Sequence, residues 1–254
     1  FYGGNGNGKS KLARLSLANT NNNVVEVDKI WYQFPIGSSL TAYVGPLIES
    51  YYMLGSTPSV YRQQLKQFKL GGYANAYTAS TSPGAGLAWR QQKDNPMDPR
   101  FTLSASYNAT GGTTGNPNSG GIATNNSASR FTAQAAYGSP QWNVSAAYRY
   151  AQAGGLKGDY STPSGAANAY WTGTEYGTSK YADVNAVSLR AWWQPSESGW
   201  MPSISAGWGL SSLSSPVDSD KLPGITAAAK AYNKAASTTQ NWFVGLNWKD
   251  AFMK

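Results

Sequence analysis

The first string with the spacing of a chemical site is Gly3 to Ser10, GGNGNGKS, which fits G-x-x-x-x-G-K-[ST]. A phosphate-cradling loop needs a hydrophobic strand before it and a helix after it, so that backbone N–H groups converge on the anion. Here only Phe1 and Tyr2 precede the string, and Lys11 to Leu17 alternates with period two. No apolar strand ending in Asp supplies a metal partner. Such strings arise by composition in Gly- and Asn-rich loops. Asp218 and Asp220 are close in sequence but belong to a Ser-rich stretch rather than a cleft. The N-x-[ST] strings at Asn108, Asn125 and Asn143 are expected by chance in so Asn-rich a chain. The chain has no His and no Cys. That removes the commonest general base and metal ligand, and with them disulfides, zinc ribbons and thiol chemistry. No enzyme, no cofactor and no metal site is expected.

A second constellation is cationic. Arg62, Lys66 and Lys69 recur at i, i+4, i+7, and so do Tyr61, Leu65 and Phe68. This spacing predicts a short amphipathic helix over 61–70 with one basic and one aromatic stripe. It falls in a connection spanning 46–83, too long for a compact fold unless it has a task. The expected task is a constriction. The apolar stripe packs on a wall, and Arg62, Lys66 and Lys69 face an aqueous path. The alternative is a loop helix whose charges are merely solvated. A third set lies on strands: Arg14, Arg90, Arg149, Arg190, Glu26, Asp28 and Trp192 share the polar phase of their segments. They are expected to line a lumen. Arginines there raise local anion concentration, or else pair with carboxylates and brace the wall.

These residues are positioned by strands. Period-two alternation dominates the chain. Phe101, Leu103, Ala105 and Tyr107 alternate with Thr102, Ser104, Ser106 and Asn108. The same pattern recurs at 131–138, 142–149, 187–193, 204–210 and 242–248. Residues 11–17, 24–34, 40–45 and 85–91 follow it less cleanly, and a phase slip near Lys29 predicts a bulge. That makes about ten strands. Connections alternate short and long: 35–39, 93–100, 139–141 and 195–202 against 46–83, 109–129, 152–180 and 211–238.

Charged residues are 13% of the 254, too few for a long solvated helix, and aromatics are also 13%, too many for disorder. The mean hydropathy of −0.44 would suit a soluble protein. A transmembrane β-barrel gives the same value, because alternate residues face its lumen. A soluble sandwich or barrel fills its inner face with apolar side chains. Here one face is Ser, Thr, Asn, Gln, Gly and Arg. The other carries aliphatic residues flanked by Trp, Tyr and Phe, the pattern of a lipid-facing band with aromatic girdles. Trp31, Trp89, Trp142, Trp193, Trp200, Trp208, Trp242 and Trp248 are expected to form interfacial belts. Trp192, in the inward phase, is the expected solute contact. The expected fold is therefore all-β, an antiparallel transmembrane β-barrel with short periplasmic turns and long external loops. Residues 1–254 form one barrel domain. The start at Phe1 without Met, and the stop just after a strand, suggest the middle of a larger barrel. The net charge of +8 agrees with an anion-leaning lumen, whereas a nucleic-acid binder would cluster its Lys and Arg on one face.

Three segments carry a family resemblance: NNNVVEVDKIWYQFPIGSSLTAYVGP (21–46), PSVYRQQLKQFKLGGYANAY (58–77) and GNPNSGGI (115–122). They resemble the cyanobacterial outer-membrane porins that carry an S-layer-homology domain, grouped with the OprB-like carbohydrate-selective porins. The resemblance implies a barrel of about sixteen strands, a homotrimer in outer-membrane lipid, and an N-terminal domain gripping a peptidoglycan-linked polymer. It implies passive diffusion of sugars or inorganic ions. Phage or surface ligands would touch the external loops. Two other functions are open at this point: a structural protein tethering membrane to wall through a plugged barrel, and a soluble all-β carbohydrate-binding module.

Overall fold

The computed structural model describes residues 27–64, 68–72, 75–78, 80–152, 183–197, 199–213 and 238–249. They form one antiparallel sheet of nine strands in sequence order: β1 (Ile30–Ile36), β2 (Leu40–Glu49), β3 (Thr81–Arg90), β4 (Arg100–Ala109), β5 (Ser129–Ser139), β6 (Trp142–Ala151), β7 (Val184–Trp193), β8 (Ser203–Leu213) and β9 (Thr238–Asn247). About ten strands were expected. Nine of them are these, and the segment expected at 11–17 lies outside the described residues. β1 pairs only with β2, and β9 only with β8, so the described sheet is open at both edges.

The meander sorts its connections. The short ones, at 37–39, 91–99, 140–141 and 194–202, share one end of the sheet. The longest described one, 50–80, leaves from the other end, where the connection at 110–128 also lies. It is shorter than the expected 46–83 because β2 and β3 continue further than their alternation does. The bulge expected near Lys29 sits two residues on: the β1–β2 register shifts between Ile30 and Tyr32. Gly45 lies opposite, where an added Cβ would come within 2.6 Å of Ile30 O and Trp31 Cβ. Only glycine allows the two backbones to approach so closely.

The pairing sets side chains in rows across the sheet. One polar row runs Thr102, Ala136, Ser145, Arg190, Gly207 and Phe243. The next runs Ser104, Gln134, Ala147, Ser188, Gly209 and Asn241. The opposite face carries Leu103, Ala135, Ala146, Leu189 and Trp208 in one row. Burial is inverted relative to a soluble protein. Ser106, Gln134, Arg149, Ser188 and Arg190 are buried, whereas Phe101, Leu103, Leu189 and Val244 are at least half exposed. No helix among the described residues is long and apolar enough to cross a membrane.

Candidate constriction segment

What buries the polar face is the chain's own segment 50–80. It starts at Glu49 with a short 3-10 turn, Ser50–Met53. It then crosses the sheet toward the short-turn end and returns. A segment with few backbone partners of its own, a bridge at Tyr77 and Ser50 N on Ser80 O, must satisfy its remaining backbone groups elsewhere, and strand side chains take several of them. Gly55 N donates to Ser104 Oγ at 2.9 Å. Gln134 accepts from Ser56 N and donates to Ser56 O, both at 3.0 Å. Val60 N donates to Ser205 Oγ, and Ala76 N to Ser188 Oγ. On the return, Asn75 Nδ2 donates to Ser211 Oγ at 2.6 Å, and Tyr77 shares hydrogen bonds with Ser145 and Gln134 at 3.0 Å. The small polar residues of the alternating pattern thus act as receptors for backbone.

Two arginines hold the return leg. Arg190, 3% exposed, spreads its guanidinium over four carbonyls: Leu70, Gly72, Leu189 and Trp208. Gly207 leaves the room for it, because an added Cβ would meet Arg190 Cδ at 2.4 Å. Leu70, Gly71 and Gly72 all have positive φ, at 56°, 73° and 91°. This left-handed run turns carbonyls toward Arg190. Arg149, 1% exposed, donates from Nη1 to Thr78 Oγ1. Trp192 is also covered, and its Nε1 donates to Thr57 O at 2.9 Å.

The amphipathic helix expected over 61–70 is not present at 61–64, which run without helical structure. Serine hydroxyls take the donors a first helical turn would leave unpaired: Val60 N goes to Ser205 and Tyr61 N to Ser59. The aromatic stripe nevertheless packs on the sheet. Tyr61, Phe68 and Phe243 form a triangle with centroids 5.5–6.4 Å apart.

The expected constriction residues divide. Arg62 is exposed and makes no hydrogen bond or ion pair among the described residues. Lys69 is half-buried. Its Nζ donates to Tyr51 Oη at 2.6 Å and sits 4.1 Å from the centre of that ring. Lys66, Arg14 and Glu26 lie outside the described residues. Asp28 is exposed and contacts Lys29, which also reaches Glu49 at 3.4 Å. Arg90 is exposed at the last position of β3. Burial pushes the Tyr51 and Tyr77 hydroxyls above the usual phenol range. Glu49 adds to the rise at Tyr51. At Tyr77 the bonds from Ser145 and Gln134 and the Arg190 charge oppose it without cancelling it. Among the described residues no cluster of acidic groups could hold a metal.

No family model, no curated protein and no solved structure matches the chain. What the site can do therefore rests on its geometry. The residues that alternation did not single out are Ser104, Gln134, Ser188, Ser205 and Tyr77. For the four strand residues the signal was the polar phase itself, which marks a face but not what covers it; Tyr77 lies in the long connection, which no alternation marks.

Proposed function

We propose that this chain is wall and constriction of an outer-membrane porin, a water-filled channel through which small hydrophilic solutes and ions diffuse down their own gradients. One observation carries the reading: the sheet exposes its apolar face and covers its polar one with an infolded segment. A soluble carbohydrate-binding module would bury Leu103, Leu189 and Val244, all at least half exposed, since so large a contiguous apolar patch is rare on soluble monomers. Tyr107 and Phe131 near one end, and Trp142 and Trp193 near the other, flank the aliphatic rows. A ten-residue strand such as β6 is ~33 Å long at ~3.3 Å per residue. At the ~40° tilt of outer-membrane barrels it rises ~25 Å, the height of their apolar band. On this reading the short turns are periplasmic, and segment 50–80 narrows the lumen.

The resemblance to the OprB-like porins with an S-layer-homology domain agrees with this reading. It extends it to a larger trimeric barrel tethered to the cell wall. A second reading has support from the many direct bonds between segment 50–80 and β4–β8: a barrel plugged by this segment, with a tethering rather than a transport role.

Planar-bilayer conductance separates the two. Stepwise open channels with an anion-leaning reversal potential under a KCl gradient are expected of the porin. Folded protein that inserts without steps would instead support the plug.

A further inference from the structure

At the short-turn end a cavity of about 290 Å³ remains between segment 50–80 and the sheet. Gly55 to Thr57 form its roof. Its floor is the ends of β3 to β7, with Arg90, Arg100, Thr102, Asn143 and Trp192 around it. The register sets Arg100, Gly138, Asn143 and Trp192 in one cross-strand row, with Arg90 opposite Thr102 in the next. Gly138 keeps the row open, since an added Cβ would meet Asn143 Nδ2 at 2.8 Å.

The polar atoms here are poorly used. Thr102 Oγ1 and Asn143 Oδ1 have no hydrogen-bond partner among the described residues, although each residue is only 7% exposed. Buried polar atoms are almost always partnered, and each exception asks for a reason. The Arg90 side chain makes no hydrogen bond or ion pair among the described residues. Arg100 donates from Nη2 to the carbonyls of Asn95 and Pro96, which fixes a second positive charge beside the cavity. Among the described residues no carboxylate lines the cavity to neutralise the two guanidinium groups. A free guanidinium fork matches a carboxylate or phosphate, whose two oxygens accept in parallel. An orphan amide oxygen and a hydroxyl match solute O–H groups.

We infer that this cavity is a solute subsite for a small polyhydroxylated acid. Arg90 holds the acidic group, with Arg100 adding to the field. Thr102 and Asn143 take up the hydroxyls, and the Trp192 ring closes one side. A neutral sugar leaves Arg90 unused, and a simple anion leaves Thr102 and Asn143 unused. The effect on traffic rests on the channel reading: a weak site at the channel's inner mouth would favour hydroxy acids over other solutes of equal size. Occupancy itself does not rest on that reading.

The test is titration calorimetry of the full chain folded in detergent, with sodium gluconate, glucose and sodium acetate as probes. Gluconate is expected to bind at least about tenfold tighter than either control, since one charge-assisted bond is worth ~1.5–3 kcal/mol and ~1.4 kcal/mol is a factor of ten. Arg90→Gln, an exposed change that leaves the fold intact, is expected to lower gluconate affinity about tenfold while leaving glucose unchanged. Thr102→Val is expected to weaken gluconate and glucose but not acetate. Gluconate binding no tighter than acetate, or unaltered by Arg90→Gln, would overturn the inference. Binding with this pattern by protein that shows no conductance steps would uphold the subsite and remove the channel.

Discussion

Arg190 does for segment 50–80 what water does for an exposed loop. Its guanidinium meets four carbonyls, two from the segment and two from the sheet. Replacing it by Met would take this donor from all four; Leu189 and Trp208 keep their ladder donors, whereas the Leu70 and Gly72 carbonyls would cost ~1–3 kcal/mol for each one that cannot re-pair. The expected outcome for Arg190→Met is a loss of ~3 kcal/mol in urea unfolding of the detergent-folded protein, with an unchanged denaturant slope. Arg190→Lys should recover only part, because an ammonium cannot span the fork. An unchanged midpoint in the Met variant would show that the segment does not depend on this brace. Tyr77 makes the matching case for pH. Its folded-state hydroxyl holds its proton above the usual phenol value of ~10. Its contribution is therefore whole below ~pH 10 and falls as pH rises through the higher folded value. Ultraviolet titration should show a late phenol that Tyr77→Phe removes and that titrates near the ordinary value after unfolding. The sequence put Arg149, Arg190 and Trp192 in the polar phase, and the structure shows them projecting there. Alternation could not say that the chain itself covers them, because those contacts join residues 71 to 135 positions apart.

At the scale of elements, the segment stays down because the wall is shaped for it. Phe243 stands on β9 between Tyr61 and Phe68, and Gly245 clears the way for the Tyr61 ring, which an added Cβ would meet at 2.7 Å. Phe243→Ala removes the aromatic floor at ~3 kcal/mol. Its expected signature is local: trypsin should cut after exposed Arg62 many-fold faster while the strands remain intact. Phe243→Leu, which keeps an apolar floor, should cut at nearly the parent rate. If all three cut alike, the triangle does not anchor the segment. β4 to β9 were legible because each repeats a two-residue code over seven or eight positions, so a chance match is rare. The connection 50–80 was legible as long but not as to its path. Its helical spacing at 61–70 was real, but residues 61–64 follow the sheet instead, tied there by Val60 N on Ser205 Oγ and by the Tyr61 ring on Phe243. Local periodicity gives way where tertiary partners satisfy the same groups.

For the whole molecule, the apolar exterior and the polar interior carry separate consequences. On the porin reading, the exposed face with Leu103, Leu189, Val244, Trp193 and Trp248 meets lipid or detergent. In vesicles, interfacial tryptophans should be quenched by lipids brominated near the headgroup more than by lipids brominated at the chain ends. Equal quenching at both depths would contradict an aromatic belt. On the same reading, the polar face determines which ions pass. Arg62 is exposed and unpaired among the described residues, whereas Lys69 is held by Tyr51 through a 2.6 Å hydrogen bond and the face of its ring. If segment 50–80 narrows a channel, an exposed charge without a partner acts on passing ions more fully than one already engaged with a phenol. Arg62→Gln should therefore move the reversal potential toward cations more than Lys69→Gln does, although each removes one charge. Lys69→Gln should instead loosen the Ser50–Met53 turn through Tyr51 and raise current noise at constant selectivity. The reverse order would place Lys69, not Arg62, at the narrowest point. Equal shifts would mean that net charge rather than position sets the field.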